Sequence, residues 1–315
     1  GTTGGPPDSG SPARTVIPAA ASRAMLCPME PWVTHSELDR APEGRMDAGV
    51  VAALWRHSSA RVVGVDEGSN VSSDPTGNRL RWVDPEGSYE PEHHYLVGTV
   101  GGDPWFTAAA SHGPSASLRQ LGGVLDETHA DIATTAVALV NWHRVAPYCG
   151  QCGTRTQVRE GGHMRWCPGC DRQRFPRTDP AVIVAILDDA GRLLLGHHTG
   201  WESTRVSILA GFVEAGESLE AAVRREIREE SGLALSSVRY VGSQPWPFPR
   251  SLMLGFVARA VGAEIRVDGV EIEWANFYAP HDLTRLVDAG ELTLPMRSSI
   301  ASRIIASWRA GTLDA

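Results

Sequence analysis

Gly211-Phe-Val-Glu-Ala-Gly-Glu-Ser-Leu-Glu-Ala-Ala-Val-Arg-Arg-Glu-Ile-Arg-Glu-Glu-Ser-Gly232-Leu233 decides how the rest of the chain is read, because acidic residues recur in it at helical spacing between glycine turns. Ser218 to Ser231 holds good helix formers with no Pro and no internal Gly, and Gly232 stands at the stop position. At about 100° per residue, Glu226, Glu229 and Glu230 fall within an arc of roughly 100° that also carries Ala222 and Val223; Arg224 and Arg228 point the other way. Mixed Glu/Arg runs are usually solvated faces held by i,i+4 pairs. The phase argues otherwise here: three carboxylates beside apolar side chains repel one another and are costly to desolvate unless a cation neutralises them. Hard oxygen ligands suit Mg²⁺ or Mn²⁺, ions that in turn bind substrate phosphates.

The pattern Gly, five residues, Glu, seven residues, Arg-Glu-apolar-x-Glu-Glu-x-Gly-apolar resembles the Nudix hydrolase box. Gly211, Glu217, Arg225, Glu226, Ile227, Glu229, Glu230, Gly232 and Leu233 fill every position of it.

Around this stretch, 315 residues allow two or three domains. The composition, 42% hydrophobic and 21% charged, is that of a globular protein. A net charge of −8 argues against a nucleic-acid binder that relies on a broad basic surface, though not against recognition of one nucleotide end. Residues 1–23, rich in Gly, Pro and Ser, read as a disordered tail. With no apolar run long enough to span a bilayer and no signal-peptide pattern, a cytoplasmic protein without membrane contact is expected.

Residues 24–145 read as an N-terminal mixed domain, mostly β. Its strands are expected at Ala60–Val65, Leu80–Val83, His94–Val100 and Trp105–Ala109, separated by turns such as Asp74-Pro-Thr-Gly-Asn78. A helix is expected from Asp126 to His143, with Ile132, Ala136, Leu139, Val140 and His143 on one face. Nothing in this part looks catalytic; His93, His94 and His112 lack ligand-like spacing.

Residues 146–176 contain Cys149-Gly-Gln-Cys152, fourteen residues, and Cys167-Pro-Gly-Cys170. Two such knuckles present four thiolates to one tetrahedral Zn²⁺, a zinc ribbon; four protein ligands leave no open position, so the zinc is structural. Disulfide or redox readings are weaker in a cytosolic chain. Cys27 is left over and reads as an inert thiol.

Residues 177–315 form the catalytic part. A buried-strand run at Ala181–Leu187, a turn at Asp188–Gly191 and a returning strand at Arg192–His198 precede the acidic helix. Strands around Val238–Val241 and Leu252–Ala258, an acidic segment at Val270–Trp274 and a helix at Arg297–Arg309 follow. This order suggests an α/β fold with a mixed sheet flanked by helices; the Nudix resemblance implies the specific α/β/α sandwich.

Between those strands lies Ser243-Gln-Pro-Trp-Pro-Phe-Pro-Arg-Ser251. Three prolines fix an extended backbone and should expose Trp246 and Phe248. On physics alone the loop reads equally as a packing arm or as the wall of a site for a flat heteroaromatic ligand. This segment is similar to the signature of the NADH pyrophosphatase subfamily of Nudix hydrolases, and the four-cysteine ribbon is a second match to it. The resemblance implies hydrolysis of the pyrophosphate of NAD(H) to nicotinamide mononucleotide and AMP, and removal of NAD caps from RNA 5′ ends. Carried over, Glu226, Glu229 and Glu230 hold the divalent metal, with the Ala210 carbonyl and Glu271, a better match than Glu273. Phe212 and, from a partner subunit, Phe175 stack on the adenine, which implies a homodimer; Gln244, Trp246 and Phe248 complete the substrate contacts. Arg225 orients the glutamates by ion pairing, and either Glu229 or Glu230 serves as base. Two rivals stand beside this reading. One is a Nudix hydrolase of another nucleoside diphosphate such as ADP-ribose; the other is a non-catalytic zinc-ribbon module, whose usual mark, a lost box glutamate, is missing.

Overall fold

The computed structural model describes Gly1 and residues 36–313; the expected tail and Cys27 lie outside the described residues or at their edge. In the N-terminal part, helix α1 (Ala48–Trp55) precedes strands β1 (Arg61–Gly64), β2 (Val71–Ser72), β3 (His94–Val100), β4 (Asp103–Ala108) and β5 (Ser115–Ala116), then helices α2 (Leu118–Leu121) and α3 (Glu127–Val145). The main sheet has the order β1-β4-β3, with β1 parallel and β3 antiparallel to β4. Asp126 caps α3 by accepting from the His129 N–H at 2.9 Å. The expected face of α3 is buried: Ile132, Ala136, Leu139 and Val140 pack with Val63, Val97 and Trp105. Leu80–Val83 does not become a strand. It makes only isolated bridges, Ser73 with Leu80 and Val62 with Val83, because its two ends pair with different neighbours and no continuous ladder forms.

Strands β6 (Gln157–Arg159), β7 (Met164–Cys167) and β8 (Arg172–Arg174) form the antiparallel sheet of the cysteine segment. His143 of α3 welds it to the N-terminal part. Its Nε2 lies 2.7 Å from the Gly162 carbonyl and its Nδ1 accepts from Arg165 Nη1 at 2.8 Å; Arg165 Nη2 in turn reaches Glu92 at 3.0 Å. That bonding assigns a neutral ring with its proton on Nε2.

The last part holds β9 (Asp179–Leu187), β10 (Leu193–His198), β11 (Leu209–Phe212), α4 (Leu219–Ser231), β12 (Ala234–Trp246), β13 (Ser251–Val261), β14 (Ile272–Tyr278), α5 (Pro280–Asp288) and α6 (Ile300–Arg309). The sheet runs β12-β13-β9-β10-β14 with β11 also on β9, and it is mixed, since β13 is parallel to β9 while the other pairs are antiparallel. The period of two along β9 sorts its side chains between two cores. Val182, Val184 and Ile186 meet Ala222, Val223 and Ile227 of α4 on one face. Ile183, Ala185 and Leu187 meet Leu283 of α5 and Ile304, Ile305 and Trp308 of α6 on the other. The three layers expected of an α/β/α sandwich are therefore present.

Two features depart from the sequence reading. The expected hairpin of β9 and β10 is joined only at Leu193 and Leu187. Beyond that point β11 occupies the edge of β9, from Leu209 opposite Val184 to Phe212 opposite Ala181, so β10 pairs with β14 instead. Helix α5 was not expected at all; Pro280 opens it where a missing N–H costs nothing.

Candidate active site

Helix α4 is held at both ends. Ser218 accepts from the Ala221 N–H at 3.2 Å, and Gly232, at φ 70°, stops the helix in the left-handed conformation that glycine adopts without strain. The phase of the helix buries Ala222, Val223 and Ile227, and with them Glu230, whose side chain is drawn into the sheet-facing layer. Glu230 is 5% exposed, and its Oε2 has no hydrogen-bond partner. Burial, reinforced by the charges of Glu226, Glu271, Asp268 and Glu229, pushes its pKa up to about 8. Glu226 is raised too, first by burial, although the neighbouring Arg225 works against the rise. A Cβ at position 211 would collide with the Glu226 carboxylate, so the box requires glycine there for close approach.

Arg225 is the fixed point of the acidic face. It grips Glu217 with two nitrogens, Nε at 2.9 Å and Nη2 at 2.8 Å, and its Nη1 meets Glu226 at 2.9 Å and Glu229 at 3.0 Å. Its Nη2 also donates to the Phe212 carbonyl at 2.9 Å, which ties α4 to β11. Glu217 was counted in the box but given no role; eight residues from Arg225, it escaped any helical-spacing rule. Asp268 was missed as well. Its carboxylate accepts from the N–H groups of Val270, Glu271 and Ile272, building the turn that presents Glu271, and an Asp followed by Gly269 was the available signal.

The acidic face of α4 and Glu271 line a cleft of about 750 Å³. The structure brings Ala210, Phe212, Arg225, Glu226, Glu229, Glu230, Gln244, Trp246 and Glu271 to its walls. Glu273 is not among them; it lies 3.5 Å from His197. Phe175 is half exposed at the end of the cysteine segment and does not line this cleft. Gln244 borders it, but its amide is engaged: Nε2 donates to the Ser298 carbonyl at 2.8 Å, and Oε1 accepts from the Ile300 N–H at 2.6 Å. Trp246 and Phe248 are not exposed as expected but half-buried, because the β12–β13 hairpin lies against α2 and α3. Phe248 does not line the cleft; it packs against the N-terminal core.

The donor set suits a divalent cation. An unpartnered buried carboxylate oxygen together with the carboxylates of Glu226, Glu229 and Glu271 forms a hard, strongly negative site that a cation of the Mg²⁺ type would satisfy. The cysteine site suits zinc. The ligand atoms of Cys149, Cys152, Cys167 and Cys170 lie within 4.8 Å of one another. Backbone N–H groups of Gln151 and Cys152 pull the Cys149 thiol down to about 6, while burial and the neighbouring sulfurs push Cys170 up to about 12. Four charged thiolates share this space only around a cation.

Comparison with known proteins agrees with this geometry. Residues 177–298 match the NUDIX domain, and residues 144–175 match the NADH pyrophosphatase zinc ribbon domain. The chain is 36% identical over 304 residues to the NAD-capped RNA hydrolase NudC of Mycobacterium bovis, covering 89% of this chain and 95% of that protein. The Mycobacterium tuberculosis protein of the same name gives the same identity and coverage. The human NAD-capped RNA hydrolase NUDT12 is 36% identical over 209 residues, 62% of this chain and 44% of its own length. The chain belongs to the Nudix hydrolase family. Within it, the zinc ribbon and these relatives identify the NADH pyrophosphatase and NAD-capped RNA hydrolase subfamily.

Proposed function

We propose that this protein hydrolyses the pyrophosphate bond of NAD(H) to nicotinamide mononucleotide and AMP, and removes NAD caps from RNA 5′ ends by the same cleavage. The observation that carries the reading is Glu230, a buried carboxylate with a free oxygen, set among Glu226, Glu229 and Glu271 in a cleft bordered by Trp246. The relatives named for the same activity support the choice of substrate.

Glu226, Glu229, Glu230 and Glu271, with the carbonyl of Ala210, would hold Mg²⁺ or Mn²⁺. Bound there, the ion supplies a positive centre that polarises the phosphoryl group and lowers the pKa of the attacking water. Arg225 keeps Glu226 and Glu229 aligned through its bonds to Glu217 and Phe212. Water adds to one phosphorus, the bond from that phosphorus to the bridging oxygen breaks, and the second mononucleotide leaves as a phosphate monoester. The proton passes to a cleft carboxylate, Glu229 or Glu230. Phe212, 57% exposed at the cleft, offers a stacking face, and Trp246 a wall. Phe175 completes the adenine sandwich from the partner subunit of a homodimer, which accords with its exposure outside its own chain's cleft. Division into an N-terminal domain to residue 145, a ribbon to 176 and a catalytic domain beyond it, in a cytoplasmic protein, belongs to the same reading. Among the described residues no helix is long and apolar enough to cross a membrane.

A metal-dependent assay with NADH, NAD, ADP-ribose and NAD-capped RNA side by side, read by product chromatography, tests the proposal. AMP and nicotinamide mononucleotide should appear, with kcat/KM for NADH or capped RNA above that for ADP-ribose. Preference for ADP-ribose would transfer the chain to another nucleoside diphosphate.

A further inference from the structure

The wall that carries Trp246 is braced from outside the catalytic sheet. The hairpin joining β12 to β13 meets α2 and the first turns of α3 across a seam whose void measures about 10 Å³, close to the space of a single water. Phe248 packs on the buried N-terminal cluster that includes Leu118 and Leu121, and the rings of Phe248 and Trp246 meet edge to face at 5.4 Å. The Arg119 guanidinium stands over both rings, 5.6 Å from the Trp246 centroid and 5.2 Å from that of Phe248.

Arg119 has a firm footing. Helix α2 is a single turn closed by a reciprocal capping box, in which Ser117 Oγ accepts from the Gln120 N–H at 3.3 Å and Gln120 Oε1 accepts from the Ser117 N–H at 3.2 Å. Leu118 and Leu121 are buried, which leaves Arg119 on the outward side facing the hairpin. A second line of contacts runs parallel to the first. The Arg119 carbonyl accepts from Ser298 Oγ at 3.1 Å, and the Ser298 carbonyl accepts from Gln244, two residues before Trp246. The N-terminal part thus reaches the cleft wall through a cation over the ring and through the backbone that precedes it.

We propose that Arg119 is a positioning residue for the substrate wall: it sets the angle at which Trp246 enters the cleft, and so the affinity for a flat base, without touching substrate. This gives the N-terminal part a role in a site formed by residues beyond position 180, and it rests on Trp246 being the wall under the function proposed above. A cation over an aromatic ring at an exposed site is worth about 1 kcal/mol, so its loss can weaken binding through the ring's orientation by up to about fivefold.

Two variants of the full chain test it, Arg119→Gln, which keeps the stem and removes the charge, and Arg119→Lys, which keeps the charge. Arg119→Gln should raise KM for NADH about fivefold with kcat within about twofold, and Arg119→Lys should restore KM to within about twofold. In protein labelled with 5-fluorotryptophan, the ¹⁹F resonance of Trp246, assigned through Trp246→Phe, should shift or broaden in Arg119→Gln. An unchanged KM would overturn the proposal, as would a joint fall of kcat and the unfolding midpoint, which marks general damage. Should the unsubstituted protein fail to cleave NADH, the functional reading falls by itself. The fluorine measurement then decides the brace alone, and an unmoved Trp246 resonance overturns it.

Discussion

The ribbon and the cleft are both places for a metal, and they gather their ligands in opposite ways. In the ribbon, Cys149 and Cys170 sulfurs stand 3.6 Å apart and those of Cys152 and Cys167 3.4 Å apart. Among the described residues no other group of three or more His, Cys, Asp or Glu side chains converges as closely. Tight knuckle turns fix these ligands through the backbone, and the shell closes with no room for substrate. In the cleft, three glutamates are spread along one helix and a fourth sits before a strand. Arg225 draws Glu226 and Glu229 to itself, and Glu230 is left with an oxygen unpaired. The ribbon supplies a full set of protein ligands, whereas the cleft presents a free Glu230 oxygen that the proposed function assigns to a cation.

The contrast can be broken in several places. Its largest test is removal of zinc. Purified protein should contain about one Zn²⁺ per chain, and Cys167→Ser or strong chelation should unfold the ribbon, since structural zinc contributes on the order of 10 kcal/mol. Active, folded protein without zinc would contradict the closed-site assignment. Next comes Glu230→Gln, which replaces a buried carboxyl by an amide of the same shape. It should lower kcat/KM about 10³-fold at saturating Mg²⁺ or Mn²⁺ without lowering the unfolding midpoint. Arg225→Lys keeps the charge and loses the fork that spans Glu217, Glu226 and Glu229, so a loss of roughly 10- to 100-fold in kcat/KM is expected. A loss within twofold would show that the glutamates align without it.

A further test concerns the joint between ribbon and N-terminal part. Burial lowers the His143 pKa from 6.5 to about 3, so its ring stays neutral in the folded protein. A depressed pKa means that the unfolded chain takes up the proton first. The stability His143 contributes is present above pH 6.5 and is lost as pH falls from there toward 3, by at most about 1.4 kcal/mol per pH unit. Urea unfolding between pH 7 and 4 should show a shallower decline in His143→Gln than in the unsubstituted protein. Equal slopes would deny His143 that part.

What could be read from the sequence follows the reach of the physics. The acidic helix was legible because caps and phase act within a few residues, and Ser218, Gly232 and the buried position of Glu230 match that reading. The cysteine spacing likewise carries its own geometry. The parting of β9 from β10 was not legible, since it depends on β11 competing for the same edge. Nor was the hairpin's resting place: prolines dictate an extended backbone at Pro245, Pro247 and Pro249 but do not say which surface receives it. Phe248 was expected in the substrate site for that reason, and it packs half-buried against the N-terminal core, outside the cleft. Gln244 has the right position at the cleft, yet contacts with Ser298 and Ile300, more than fifty residues away, engage its amide.

The open character of the cleft can be tested without turnover. In the zinc-loaded protein, Mn²⁺ titration followed by electron paramagnetic resonance should detect binding in the cleft, and Glu230→Gln should weaken it by about tenfold or more, about 1.4 kcal/mol. Equal Mn²⁺ affinity and stoichiometry in the two proteins would contradict the assignment of Glu230 as the ligand left free for the cation.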